Sequence, residues 1–541
     1  MTQTNQKSRK AVRQSGFQVS PVAAGCAVLL ISVAGATHAQ QTGGELVVTG
    51  IRASIENAIA TKRNSDGIVE ALSAEDIGKL PDSTVAESVS RLPGVTAQRN
   101  KSTGRAQSVS VRGMSPDFNG ALLNGREQAS TGDSRGVEFD QFPAELLGSI
   151  VIHKTPEASL VGQGLASTID LRTVRPLDFN KRTFSANVRS QRSGIDSGAG
   201  EGKGDRQSFS YVDQFADRTL GIALGYTKLK DEGAEQLKFN SWGGWNRDIK
   251  YNGQDVKIPG GFTADTEQST SNREGLMAVI QYKPNKDFET VLDVFSSKGT
   301  FALKKTGLEG AFLENASYDP AGKLLPGAIV NSAGFVTSGT MDGYKGVVRN
   351  HLESGDDKLD SFGWNTKFKA GDWKAAADIS QSKVSRVSSR YETTAGLPGD
   401  GNTTGKTDTI SWSGFNGTNL ADTLFKTGLS YADRSQIKLT DVNGWSGGPS
   451  SPQAGYVAIP QVTDKVDNVR FSGRRNVEYG PVSSVEIGAN FSDRTKVRTT
   501  QEGRLVVKGG DPYAGAAVPG TATNVAGTTG LAVVSWDPRG S

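Results

Sequence analysis

Residues 220–226 read Leu-Gly-Ile-Ala-Leu-Gly-Tyr. In an extended chain Leu220, Ile222, Leu224 and Tyr226 fall on one side, and Gly221, Ala223 and Gly225 on the other. The period of two recurs at Phe362, Trp364, Thr366 and Phe368, against Gly363, Asn365 and Lys367. It recurs at Val485, Ile487, Ala489 and Phe491, against Glu486, Gly488 and Asn490. Strands apolar on one side build either an antiparallel sandwich with a greasy interior or a membrane barrel with a greasy exterior.

The connections separate the two. One set is very short: Ala216-Asp217, Pro284 to Lys286, Gly371-Asp372, and Tyr479 to Pro481. The other set is long and polar, over about 231–274, 301–357 and 393–465. Short and long alternate strictly, as they do in outer-membrane barrels. A sandwich has no reason to keep its long loops at one end. Trp373, just past a short turn, is a candidate for an interfacial aromatic girdle, with ordinary sheet packing as the alternative.

Composition agrees. The chain has 541 residues, 66 glycines, 35% hydrophobic residues and a net charge of +4. Its mean hydropathy of −0.41 argues against a bundle of membrane helices but not against strands that are apolar on one side. The mild basic excess forms no stripe interleaved with aromatics, so nucleic acid is not an expected partner.

The first residues read as an address. Lys7, Arg9, Lys10 and Arg13 precede a short apolar run from Val22 to Val33. Thr37-His38-Ala39 is an acceptable cleavage site, with Ala39 and Gln40 flanking the cut. Cys26 is the only cysteine, so a chain cut there has no disulfide, thiolate metal site or cysteine nucleophile. Residues 45–52 follow as Glu-Leu-Val-Val-Thr-Gly-Ile-Arg, a β-prone stretch suited to capture on another protein's sheet edge.

Between this stretch and the alternating strands lies a mixed segment. Ala53 to Lys62 has helical spacing at Ile55, Ala58, Ile59 and Lys62. Ser73 with Asp76, and Thr84 with Glu87, are capping-box patterns, and Pro93-Gly94 stops the second helix. Ser108 to Met114, Ile150 to Ile152 and Thr168 to Leu171 read as strands, and Asn124-Gly125 as a hairpin turn. The fold class expected is therefore an α+β domain followed by antiparallel transmembrane β-barrel strands.

Here a resemblance becomes specific. Residues 83–95 (STVAESVSRLPGV), the strand 109–113, Leu123-Asn124-Gly125-Arg126, residues 145–156 (ELLGSIVIHKTP) and Asp170 to Thr173 running into Arg175-Pro176 follow one another as in the plug of TonB-dependent outer-membrane receptors. The resemblance implies a signal peptide over 1–39, a periplasmic N-terminus with a TonB box over 40–52, a plug over 53–176 and barrel strands from 177 to 541. It implies that TonB, driven by inner-membrane motor proteins, pairs with Glu45, Leu46, Val47, Val48 and Thr49. It implies that Arg112 joins the plug to barrel carboxylates. It also places Asn124, Gly125 and Arg126 on a hairpin facing the ligand.

About nine strands are legible, against about 22 in plugged transporters, so the expectation is the N-terminal part of a barrel. Trp242, Trp245, Trp412 and Trp445 lie in the long connections beside Asn, Ser and Gly. Flat rings beside amides and hydroxyls suit a sugar; they equally suit loop packing. The plug pattern resembles the oligosaccharide-uptake branch. The expectation is a monomer in the outer membrane of a Gram-negative bacterium, in contact with its lipid and importing a small nutrient, first an oligosaccharide. A ferric siderophore is the alternative, and a truncated receptor that transports nothing is another. No cofactor, metal site or enzyme constellation is expected.

Overall fold

The computed structural model describes residues 49–74, 84–100, 105–192, 201–241, 246–311, 324–397, 407–416, 423–439, 454–480, 482–505 and 516–517. The cleavage site at Ala39 and Gln40, the stretch Glu45 to Val48, and Trp242, Trp245 and Trp445 lie outside them. Thr49, expected at the end of the extended handle, instead opens helix α1 (Thr49–Arg63). The helix thus starts four residues before the expected Ala53.

The plug contains α1, helix α2 (Val85–Val89) and seven strands: β1 (Val69–Ser73), β2 (Val95–Arg99), β3 (Ala106–Val111), β4 (Asn119–Leu123), β5 (Arg126–Glu127), β6 (Ser149–His153) and β7 (Ser167–Arg172). Five form one sheet in the order β1-β6-β7-β4-β5, and β2 pairs with β3 apart from it. Thr84 caps α2 as expected, its Oγ1 accepting from Glu87 N at 3.1 Å. The Glu87 carboxylate does not close the box; it pairs with Arg99 at 2.8 Å.

The wall contains β8 (Thr183–Arg192), β9 (Lys203–Phe215), β10 (Leu220–Glu232), β11 (Gly261–Asn285), β12 (Phe288–Ala311), β13 (Val347–Ala370), β14 (Trp373–Gly396), β15 (Gly455–Tyr479) and β16 (Val482–Leu505). Among the described residues these nine strands run antiparallel in the order β16-β15-β14-β13-β12-β11-β10-β9-β8. The four short turns fall where expected, and Ala216, Asp217, Arg218, Gly371 and Gly480 take positive φ in them. Strands β8 and β16 are the sheet's edges and do not pair with each other. In lipid each unpaired backbone group costs several kcal/mol, so these edges need partners from outside the described residues.

The greasy side faces out. Leu224, Leu276, Ile280, Phe362, Trp364, Ile379, Phe471 and Ile487 are exposed. Cross-strand register sets Leu220, Tyr282, Thr290, Thr366, Ala377, Phe471 and Ala489 side by side in one row. The opposite face meets the plug: Ala223, Val279, Val291, Phe295, Leu359, Val384 and Val466 share a buried cluster with the plug's Phe139, Phe142, Leu146, Ile150 and Ile169. A sandwich would bury the large side chains instead. This face-to-face arrangement decides for a membrane wall around a plug.

Strands β11 to β16 run for 24 or 25 residues each, whereas about 9–11 tilted residues cross a bilayer. The long connections are therefore shorter than expected, because the wall continues beyond the apolar band. At that end a second core forms around Phe262, Tyr344, Ile410, Trp412, Phe415, Phe425 and Tyr431. Trp412 is 2% exposed and donates from Nε1 to Val336 O at 2.9 Å. It packs a loop and presents no face to a sugar.

Candidate functional site

The turn at Asn124-Gly125 is the pivot. Both residues take positive φ, 54° and 77°, the two-residue hairpin geometry that Asn-Gly favours. Leu123 then pairs with Arg126 across the hairpin, and Arg126 is thrown against the wall.

Its guanidinium bridges two wall strands. Nη1 donates to Asp293 Oδ2 on β12 at 2.7 Å. Nε and Nη2 donate to Oδ1 and Oδ2 of Asp378 on β14, both at 3.0 Å. The Arg126 side chain is 7% exposed and each carboxylate 9%. Arg175 adds a second cation to Asp293 at 2.5 Å. Asn124 donates to Asp293 at 3.2 Å and Asn365 to Asp378 at 2.9 Å. Burial works against the Arg126 charge, but the Asp378 and Asp293 carboxylates outweigh it and hold its pKa above the ordinary arginine value. Gly363 on the intervening strand makes the room: a Cβ there would stand 2.2 Å from Arg126 Nη1.

The expected plug–wall residue, Arg112, does not do this. It follows β3 in a turn at φ 56°, is exposed, and makes no ion pair among the described residues. Its backbone N–H is spent on Gly94 O at 2.8 Å. The expected ligand-facing residues Asn124 and Arg126 are likewise engaged by the wall, and Gly125 N donates to Asp170 at 2.8 Å.

A second tie follows in sequence. Arg494 on β16 holds Asp464 on β15 and reaches Glu127 of the plug at 2.8 Å. Ala129 N donates to Ser382 Oγ and Ser130 N to Asp464 Oδ2, both at 3.1 Å. The plug segment 126–130 is thus stitched across β12, β14, β15 and β16.

Toward the long connections, plug and wall enclose a cavity of about 430 Å³. Six arginines (Arg105, Arg206, Arg273, Arg386, Arg390 and Arg498) and seven carboxylates line it, with the rings of Phe142, Phe301 and Tyr456. Several of these charges pair off: Arg273 with Asp357 at 2.8 and 3.0 Å, and Arg206 with Glu145 at 3.2 Å. Asp140, half-buried on the plug side, makes no ion pair among the described residues. Burial pushes its carboxyl up to about 7; Glu138 and Asp357 add to the rise while Arg273 and Arg105 oppose it. Near neutral pH this carboxyl can therefore both donate and accept a hydrogen bond. Among the described residues no three His, Cys, Asp or Glu side chains gather to hold a metal ion.

Comparison with known proteins fits this architecture. Residues 61–168 match the family model of the TonB-dependent receptor plug domain. Solved structures similar to the chain include the unliganded ferric citrate transporter FecA, at 9% identity over 85% of this chain and 77% of that one, with a TM-score of 0.29. The siderophore receptor PirA from Acinetobacter baumannii gives 12% identity, 83% and 79% coverage and 0.27. The outer-membrane transporter YddB from Escherichia coli gives 9%, 81%, 75% and 0.31. Scores this low carry no weight about this chain; the plug match does. Residues 61–168 therefore match a TonB-dependent receptor plug domain, and that domain is seated against a wall whose greasy side faces outward.

Proposed function

We propose that this chain takes up a neutral, hydroxyl-rich nutrient, an oligosaccharide, through the cavity between plug and wall. The observation that carries the reading is the balance of charge in the lining, six arginines against seven carboxylates. Arginine–carboxylate pairs and a part-protonated Asp140 supply donors and acceptors to sugar hydroxyls, and Phe301 and Tyr456 supply ring faces. A ferric chelate carrying several negative charges would be better served by an excess of arginine. Transport needs the plug to move, and the proposed handle is Glu45 to Val48, captured by TonB as an added strand.

The test is uptake in a strain whose only such receptor is the complete product of this gene. Labelled maltodextrin-like sugars should enter, and ferric chelates should not. Val47→Pro removes a backbone donor and fixes φ. It should abolish uptake while ligand binding at the cell surface stays unchanged. Undiminished uptake by that variant would refute the handle, and uptake of ferric chelates alone would refute the sugar.

One observation favours a second reading, a receptor piece that transports nothing. The edges β8 and β16 are unpaired among the described residues. If the chain of 541 residues is expressed alone, that reading predicts no ligand uptake and no heat-resistant barrel on gels.

A further inference from the structure

Past the apolar band, at the rim of the cavity, the inner face of the wall carries a belt of charge. His351 of β13 stands in it, directly opposite Lys305 of β12 and Glu392 of β14. Its Nε2 lies 3.5 Å from Glu353 Oε2 and its Nδ1 3.9 Å from Glu392 Oε2, so each ring nitrogen faces one carboxylate. The other charges around it are matched. Arg349 takes Glu392 at 2.8 Å and also holds Glu309. Lys305 is drawn to Asp265 of β11 at 2.8 Å, and Glu267, opposite Lys305, is held by Lys238 at 2.8 Å. Tyr456 of β15 stands opposite Glu392 and bonds Glu502 of β16. Glu353 is the exception. It lies between His351 and Arg390, whose Nη2 is 3.4 Å from both of its oxygens. All these contacts are long for a charged pair, so neither cation grips Glu353 firmly. Glu353 and Arg390 line the cavity.

We propose that His351 is a proton-operated switch on the cavity: charged, it takes Glu353 and releases Arg390 to a ligand there; neutral, it yields Glu353 to Arg390. The switch itself stands on the geometry of the three side chains, and only its effect on a ligand rests on the function proposed above. An imidazolium offers one N–H to each carboxylate, whereas the neutral ring keeps a single N–H and no charge. When the proton leaves, Glu392 still has Arg349, but Glu353 has only Arg390 to turn to. Glu353 and then Glu392 hold the His351 pKa above the ordinary histidine value, against the effect of burial. His351 in turn holds the Glu353 carboxyl below the usual carboxylate range, so Glu353 stays ionised while His351 titrates. The exchange therefore falls above about pH 6.5. Acidification through it frees Arg390 to donate to ligand oxygens, and raised pH withdraws that donor.

The experiment uses the full chain in detergent micelles. Phenylglyoxal modifies accessible guanidinium groups, and the adduct at Arg390 is counted by mass spectrometry against that at Arg112 in the same sample. Arg112 is exposed and makes no ion pair among the described residues, so the ratio cancels the reagent's own pH dependence. In wild type the ratio should fall about threefold, the strength of one partly exposed ion pair, between about pH 6 and about pH 9. His351→Gln should hold it low throughout, and Glu353→Gln should hold it high throughout. Those two flat responses lie on opposite sides of the wild-type step, so loss of folding cannot produce both. A flat wild-type ratio, or a step that survives in His351→Gln, overturns the proposal. Maltohexaose affinity, measured by calorimetry on the same samples, should fall over the same interval. A wild-type step with no maltohexaose binding at any pH upholds the switch and overturns the sugar.

Discussion

Arg126→Ala should loosen the plug by about 3–5 kcal/mol, the cost of stranding a buried charge by removing its partner. Asp293 retains Arg175, but Asp378 keeps only Asn365 among the neutral donors that face it. The large share of the loss therefore belongs to Asp378, and Arg126→Ala/Asp378→Asn should recover most of it. Arg126→Lys should recover less, because a single ammonium cannot copy a fork that grips both carboxylates. Plug opening is read by limited proteolysis across a urea series. The matched control is Arg112→Ala, which should stay within about 0.5 kcal/mol of wild type, as exposed substitutions generally do. A costly Arg112 change beside a neutral Arg126 change would reverse the assignment of the lock.

Gly363→Ala should cost nearly as much, although it adds one carbon and no charge. The new Cβ would stand 2.2, 2.3 and 2.5 Å from Nη1, Cζ and Nε of Arg126. An arginine tip can usually swing away from such a contact. This one is held on two sides by Asp293 and Asp378, so relief means breaking an ion pair or moving β13. Overpacking alone costs about 1–3 kcal/mol, and a broken pair adds to it. The two changes should be strongly non-additive: Gly363→Ala in an Arg126→Ala background should cost about 0.5 kcal/mol or less, because the tip it collides with is gone. Gly473→Ala is the control on the same wall, since its nearest neighbour is Trp373 Cε3 at an ordinary 3.5 Å. The same urea series measures all four proteins, and additive losses would show that Gly363 does not act through Arg126.

The parts legible in the sequence were those written in local chemistry. Period-two apolarity at Leu220–Tyr226 and Phe362–Phe368 marked the wall and its outward face, because lipid demands apolar residues at every second position. Gly371-Asp372 and Asn124-Gly125 marked turns, because few other residues accept positive φ. Thr84 marked a helix start through one hydrogen bond three residues away.

The lock was not legible, because its partners lie 167 and 252 residues from Arg126. A trace of it was present. Asp293 and Asp378 are lone carboxylates in strands whose neighbours at that height are Val, Leu, Ala and Ile. A charge at such a place needs a partner from inside the wall. Arg112 occupies the motif position at the end of an extended run, but in the structure it sits exposed in a turn at positive φ. The outer halves of β11 to β16 were missed for a different reason. Once a strand leaves the bilayer neither face must be apolar, so alternation fades into Thr, Ser and Lys while the ladder continues. Trp412 was ambiguous in sequence because a ring in a polar loop can equally stack on a ligand or close a loop core.

The central claim is that the even-numbered side of a strand such as β13 faces lipid and the odd-numbered side faces the plug. Cys26 is the only cysteine in the chain, so single-cysteine spin labels can be read cleanly once it is replaced. In reconstituted vesicles, labels at Phe362, Ile280 and Phe471 should collide with lipid-dissolved oxygen and not with an aqueous nickel chelate. Labels at Leu359 and Val279 should be shielded from both and become mobile when Arg126→Ala frees the plug. Labels at Phe362 and Phe471 that meet the aqueous reagent freely, with no access from the lipid phase, would contradict the account.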